Sequence, residues 1–198
     1  MRTGGTRTRA GPLNGSLRRM YETPADIVLL DKLLDRSFAG AGPHLLSISR
    51  PDRRLDAHEV SVRLTGMCLL AVATVTADGR PIIGAVDGTF YRGCLYFGSS
   101  RDSLRYRHLA ARPQVSATHL PGEHLAVTVH GRAVEIDLDA PDQRGYRETL
   151  LEVNLPRYGD QFRELLASGV AYWRIDADRM FTFHAPELAE PAQVLRGP

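Results

Sequence analysis

The stretch MCLLAVATVTADGRPIIGAVDGTFYRGCLYFGSS, residues 67–100, carries the strongest structural signal in this sequence. Residues 67–76 are rich in β-branched side chains and almost continuously apolar, which predicts a strand covered on both faces. An Asp-Gly pair at 78–79 is typical of a hairpin turn, so residues 81–91 are predicted to return antiparallel to the first strand. A second turn leads into a third strand over 94–98, and the three strands form a meander.

One helix interrupts the run of strands after this meander. The segment 100–112 has helical spacing and is closed by Pro113, and three more strands are predicted at 115–120, 125–138 and 171–184. The regular alternation of strand and helix that a parallel sheet requires is absent. The sequence therefore predicts a mainly β fold with helices (α+β), in which six antiparallel strands form a closed or split barrel.

Other elements are marked by single residues. Thr23 followed by Pro24 is typical of a capped helix start, and Asp56 with Glu59 indicates a capping box. Gly131, inside the fifth strand, predicts a bulge or a close approach of two backbones. Two helices are predicted between the fifth and sixth strands, at about 141–153 and 157–167.

Composition divides the chain into four segments. Residues 1–20 are rich in Gly, Thr and Arg and have no periodicity, which predicts a disordered tail. A helical N-terminal extension is predicted for 21–56, the barrel domain for 57–185 and a C-terminal tail for 186–198.

Charge and cysteine content limit the functional class. The 198 residues carry a net charge of +2, which indicates neither a nucleic-acid nor a membrane partner. The apolar runs are too short to span a bilayer, and the N-terminus lacks the apolar core of a signal peptide. Cys68 and Cys94 do not have the spacing of a metal site. We therefore expect a cytoplasmic protein with no metal site.

Hydroxyl and guanidinium groups cluster where the third strand meets the helix, in GSSRDSLR, residues 98–105. The N-terminus of a helix presents free N–H groups and a partial positive charge, which suits a phosphate. A serine-capped helix with solvated arginines fits the same residues, so both interpretations stay open at this point. The residues concerned are Ser99, Ser100, Arg101, Ser103 and Arg105.

Three segments together resemble the pyridoxamine-phosphate-oxidase-like split barrels, a family that binds flavin mononucleotide (FMN) or a deazaflavin. LAVATVTADGRPIIGAV, residues 70–86, is similar to the family's opening hairpin. FGSSRDSLRYRHLAARPQVS, residues 97–116, is similar to its phosphate segment, and VTVHGRAVEI, residues 127–136, is similar to a later strand. The order and spacing of the three segments agree with the family over about residues 57–185.

The resemblance implies a homodimeric flavoprotein oxidoreductase with its cofactor at the dimer interface. FMN or the deazaflavin coenzyme F-420 would transfer hydride or electrons to or from a small organic substrate. The C-terminal segment from residue 171 does not resemble the substrate motif of pyridoxamine phosphate oxidase itself, so that activity is not expected. By position, the phosphate would be held by Ser99, Ser100, Ser103 and Arg105, with Arg101 beside them, and the ring would lie against Ile83, Gly84, Ala85 and Val86.

Histidines on the predicted strands leave alternatives open. His119 and His130 are candidates for proton donation to a substrate, although histidines packed within the sheet fit the same positions. A haem-binding or haem-degrading barrel is the alternative function, with His119, His130 or His184 as candidate ligands. A flavin-binding module without turnover is a third interpretation.

Overall fold

The computed structural model describes residues 20–189. The tail predicted for 1–20 lies outside the described residues except for its last residue, and so do residues 190–198 of the predicted C-terminal tail. The helices are α1 (Pro24–Ala39), α2 (Pro43–Ile48), α3 (Ala57–Arg63), α4 (Leu104–Ala111), α5 (Arg144–Tyr158) and α6 (Asp160–Ala167). The strands are β1 (Met67–Val75), β2 (Pro81–Tyr91), β3 (Cys94–Ser99), β4 (Gln114–Gly122), β5 (Leu125–Ile136) and β6 (Ala171–His184).

The six strands form one closed antiparallel barrel in the order β1-β2-β3-β6-β5-β4, which confirms the predicted fold class. Side chains alternate between the two faces of each strand, as in β1, where Leu70 and Val72 are buried inside and Leu69 is exposed outside. The interior is filled by large apolar side chains, among them Leu70, Val72, Phe90, Phe97, Val127, Ile175 and Met180.

Strands β2 and β3 separate partway along β2. These strands pair over only four residues of β2, from Gly88 to Tyr91. Residues 81–87 of β2 pair with β1 alone, so their other edge faces the turn that leads from β3 into α4. We call this opening the split.

A second, smaller core lies outside the barrel wall. Helices α5 and α6 bring Tyr146, Leu150 and Phe162 onto Tyr96 and Tyr172, which lie on the outer face of β3 and β6. The rings of Tyr96 and Tyr146 stack with their centroids 4.1 Å apart. This packing fixes both helices beside the split.

Local signals placed most elements correctly. Thr23 caps α1 through a capping box with Asp26, and Asp56 caps α3 through a capping box with Glu59. Gly131 marks a bulge, because the pairing of β5 with β6 shifts between His130 and Gly131.

Two helix boundaries differ from the prediction. The helix expected from residue 100 begins at Leu104, because the Ser103 side chain accepts a 3.0 Å hydrogen bond from the backbone N–H of Tyr106 and so caps the helix. The helix expected over 141–153 continues to Tyr158, since Leu155 still packs against the second core although Pro156 interrupts the hydrogen bonding.

Candidate functional site

Most of the residues expected to bind a phosphate and a ring lie along the split, where they line two neighbouring cavities. The smaller one, the Arg105 cavity, has a volume of about 200 Å³. The larger one, the Asp87 cavity, has a volume of about 580 Å³. Ile83, Gly84, Ser103 and Arg105 line the Arg105 cavity, whereas Val86, Ser99 and Ser100 line the Asp87 cavity.

Arg105 reaches from α4 to the unpaired edge of β2. A Cβ atom built on Gly84 would stand 2.7 Å from its Nη2 atom, so the guanidinium occupies the space that any larger residue would fill. The side chain is half-buried, and burial lowers the pKa of its guanidinium. Within residues 20–189, this cation forms no ion pair, which makes it the natural partner for an anion.

Two serine hydroxyls link the cavities across the turn between β3 and α4. The Oγ atoms of Ser99 and Ser103 lie 2.8 Å apart, and Ser99 is buried. Ser100 accepts a 3.3 Å hydrogen bond from the backbone N–H of Asp102. The hydroxyls therefore sit beside the N-terminus of α4, next to the Arg105 cavity.

Arg101 and Ala85, two other residues of the expected set, line neither cavity. The guanidinium of Arg101 forms a 2.7 Å ion pair with Glu135 and donates a 2.8 Å hydrogen bond to the hydroxyl of Tyr106. Ala85 is exposed on β2. Of the two arginines, Arg105 is the one that has no ion-pair partner among residues 20–189.

The Asp87 cavity contains a polar pair that the sequence did not reveal. The hydroxyl of Tyr158, at the end of α5, donates a 2.6 Å hydrogen bond to Oδ2 of Asp87 on β2. These residues are 71 positions apart, and no local pattern connects them. Only the packing of α5 beside the split brings them together.

The candidate histidines have different surroundings. His119 Nδ1 lies 3.0 Å from the carbonyl oxygen of Leu69, so this nitrogen carries a proton and donates it to the hydrogen bond. His130 Nδ1 lies 2.8 Å from Oγ of Ser116, its directly paired neighbour. Because His119 is three residues from Ser116, His119 and His130 point to opposite faces of the sheet.

Two other histidines, His184 and His108, lie in different parts of the barrel. His184, the third candidate haem ligand, pairs with Leu125 at the far end of β6. His108 was not among the expected site residues, yet it lines the Arg105 cavity, where its Nδ1 lies 3.0 Å from Oγ1 of Thr74.

Within the described part of the chain, no group of three or more His, Cys, Asp or Glu side chains is placed to hold a metal ion. No helix among residues 20–189 is long and apolar enough to cross a membrane.

No family profile matches the sequence, and no curated protein matches it. Solved structures do match. A conserved hypothetical protein from Mycobacterium tuberculosis is 19% identical, with 75% of this chain and 96% of that chain covered and a TM-score of 0.57. An FAD-binding protein from Mesorhizobium loti is 24% identical, with 67% and 97% covered and a TM-score of 0.51.

A third match is shorter. A protein of unknown function from Agrobacterium tumefaciens is 20% identical with a TM-score of 0.48, and the match covers 59% of this chain and about half, 51%, of that one. Identities this low establish a fold and not an activity. The chain is a six-stranded antiparallel split barrel, the fold that its resemblance to the pyridoxamine-phosphate-oxidase-like family implied.

Proposed function

We propose that this chain binds a phosphate-bearing flavin or deazaflavin at the split and works as an oxidoreductase on a small organic substrate. The observation that carries the proposal is the Arg105 guanidinium, which is half-buried, lies against Gly84 and has no acidic partner within residues 20–189. A cation taken partly out of water without a counter-charge is costly unless a ligand supplies one.

The surroundings of Arg105 fit a phosphate. A guanidinium binds phosphate through two parallel hydrogen bonds, and Ser103 adds a hydroxyl in the same cavity. Ser103 is also the N-cap of α4, so the free N–H groups of the first turn and the positive end of the helix lie close by. Ser99 and Ser100, on the neighbouring cavity wall, are proposed to complete the phosphate site.

The unpaired edge of β2 fits a flat ring. Residues 81–87 have no partner on β3, so their outward-facing backbone groups are available to a ligand. We propose that the ring lies along Ile83, Gly84, Ala85 and Val86, as the resemblance implies. Gly84 keeps this surface open beside the guanidinium.

The bound cofactor would supply the hydride or electron transfer, and the protein would supply position and polarity. FMN and coenzyme F-420 both offer a tricyclic ring and a phosphate, so the Arg105 cavity suits either. His119 and His130 stay as candidates for proton donation, but their opposite orientations mean that only one of them can face a given ligand.

A homodimer is part of the proposal. Leu69, Ile83 and Leu120 on the neighbouring strands β1, β2 and β4 are between 56% and 69% exposed, which places three large apolar side chains on one barrel wall. A second copy of the chain placed there would cover them beside the proposed ring site. A cytoplasmic location remains a prediction from the sequence.

Cofactor titration tests the proposal. FMN and F-420 are added separately to the purified full chain, and binding is followed by absorption, since an oxidised flavin shows two visible bands and the deazaflavin shows one. We expect Arg105→Gln to weaken binding by about 10- to 100-fold, because a hydrogen bond to a charged group contributes about 1.5–3 kcal/mol. Arg107→Gln, which changes an exposed arginine of the same helix, should leave the affinity unchanged.

Two results would contradict the proposal. One is that neither cofactor binds the unmodified protein. The other is that Arg105→Gln and Arg107→Gln bind both cofactors equally well. Binding without any reduction by nicotinamide dinucleotides, or by reduced F-420 with candidate substrates, would instead identify a flavin-binding module without turnover.

A further inference from the structure

The Asp87 cavity has the size and lining of a site for a small organic molecule. Its volume of about 580 Å³ lies within the range of roughly 300–1,000 Å³ that is usual for ligand pockets. Its walls are formed largely by the second half of β2, by β3, and by α5 and α6. The apolar and aromatic lining includes Leu150, Phe162, Leu165, Val170 and Tyr172.

The charge of this cavity has one sign only. Asp87 is the one carboxylate among its lining residues, and no Arg, Lys or His of the described chain lines it. The phenol of Tyr172 stays neutral, because burial raises its pKa to about 12. A negatively charged ligand in the cavity would meet the exposed carboxylate of Asp87, and none of the described lining residues supplies a cation to balance the repulsion.

A hydrogen bond from Tyr158 orients the carboxylate of Asp87. Tyr158 donates its hydroxyl to Oδ2, and the Tyr158 ring stacks on Phe162 of α6 with centroids 6.3 Å apart. One carboxylate oxygen is thus fixed by Tyr158, which leaves Oδ1 to accept a hydrogen bond from a molecule inside the cavity. The Oγ atom of Ser99, which lines this cavity, lies 2.8 Å from that of Ser103, which lines the Arg105 cavity, so the cavity adjoins the proposed phosphate site.

We infer that the Asp87 cavity binds the substrate of the proposed reaction, and that this substrate is a ring-sized organic molecule without negative charge that donates a hydrogen bond to Asp87. The statement that this molecule is a substrate rests on the proposed function, whereas its chemical class follows from the residues that line the cavity. In this arrangement the phosphate lies at Arg105 and Ser103 and reaches Ser99 where the two cavities meet, and the neutral or cationic molecule lies at Asp87.

Three probes of one size and different charge test the inference: 2-naphthylmethylamine, 2-naphthalenemethanol and 2-naphthoate. Each is titrated into the full chain by calorimetry without any cofactor. We expect the amine and the alcohol to bind, and the naphthoate to bind at least tenfold more weakly. Asp87→Asn should abolish this difference, whereas Asp178→Asn, which neutralises an exposed carboxylate elsewhere, should preserve it.

Three outcomes would overturn the inference: no binding of any probe, binding of naphthoate as tight as that of the amine, or displacement of a bound probe by FMN or F-420. Arg105→Gln separates this test from the previous one, because it should weaken cofactor binding and leave probe binding unchanged. Charge-selective probe binding in a chain that takes up no cofactor would therefore defeat only the proposed function. Cofactor binding without probe binding would defeat only the inference.

Discussion

The guanidinium of Arg105 lies against Gly84, and a Cβ atom on residue 84 would stand 2.7 Å from its Nη2 atom. The contact joins the first half of β2 to α4 across the split, where the two strands β2 and β3 are not paired. A glycine is needed here for space and not for a special backbone conformation, because Gly84 is not among the glycines with positive φ.

Gly84→Ala should therefore weaken cofactor binding without unfolding the protein. The new methyl group has to push aside the end of a flexible arginine side chain, which costs little stability but moves the cation away from the proposed phosphate. We expect a loss of affinity for FMN or F-420 of about tenfold, which corresponds to about 1.4 kcal/mol. Gly42→Ala is the control, since a Cβ there meets nothing within 4 Å. Equal affinities of the two variants would show that Arg105 is not the phosphate ligand.

Gly131→Ala should destabilise the barrel itself. A Cβ on Gly131 would overlap the backbone carbonyl oxygen of Asp176 and lie 2.9 Å from the Cα of Ala177, and backbone atoms in a paired strand cannot move aside. Overpacking of this kind costs typically about 1–3 kcal/mol, which urea denaturation measures as a lower free energy of unfolding.

Gly40→Ala is the matched control for Gly131→Ala. A Cβ on Gly40 would lie 2.6 Å from Nη1 of Arg179, which is also a close contact but is made with the end of an exposed side chain. We expect its free energy of unfolding to stay within about 0.5 kcal/mol of the unmodified protein. A loss of unfolding free energy in Gly131→Ala that is no larger than the loss in Gly40→Ala would show that the backbone at the bulge moves to accept the methyl group.

Asp26 should make the stability of α1 depend on pH. Partial burial raises the pKa of this carboxyl, but hydrogen bonds from Thr23 and the ion pair with Arg92 lower it more, so its pKa in the folded protein is below the usual value. The unfolded value is about 3.9, so the ionised carboxylate stabilises the fold above about pH 4. This contribution is lost as the pH falls further, through the folded pKa.

Asp26→Asn tests this dependence. Its free energy of unfolding at pH 7 should be lower by about 1 kcal/mol, the usual contribution of a helix cap, and the difference should shrink at pH 3. Urea denaturation of both proteins at the two pH values measures it. A difference that stays constant between pH 7 and pH 3 would contradict the assignment.

Local chemistry explains which features could be predicted. Several predicted features depend on residues that are close in sequence, and the structure contains each of them. They are the hairpin at 78–79, the capped helix starts at Thr23 and Asp56, and the bulge at Gly131. The start of α4 differs from the prediction by four residues, because a serine at either 100 or 103 is able to cap a helix. The hydrogen bond from the backbone N–H of Tyr106 to the side chain of Ser103 shows that Ser103 is the cap.

The six strands, their antiparallel succession and the serine and arginine groups at the start of α4 could be predicted, because alternation, turns and caps are properties of neighbouring residues. The folded chain was needed to show that Arg105 has no ion-pair partner within residues 20–189 while Arg101 is bound to Glu135, and that Tyr158 reaches Asp87. Whether a charge is free or already neutralised depends on residues tens of positions away, and the chain brings these together only when the barrel closes and α5 packs beside the split.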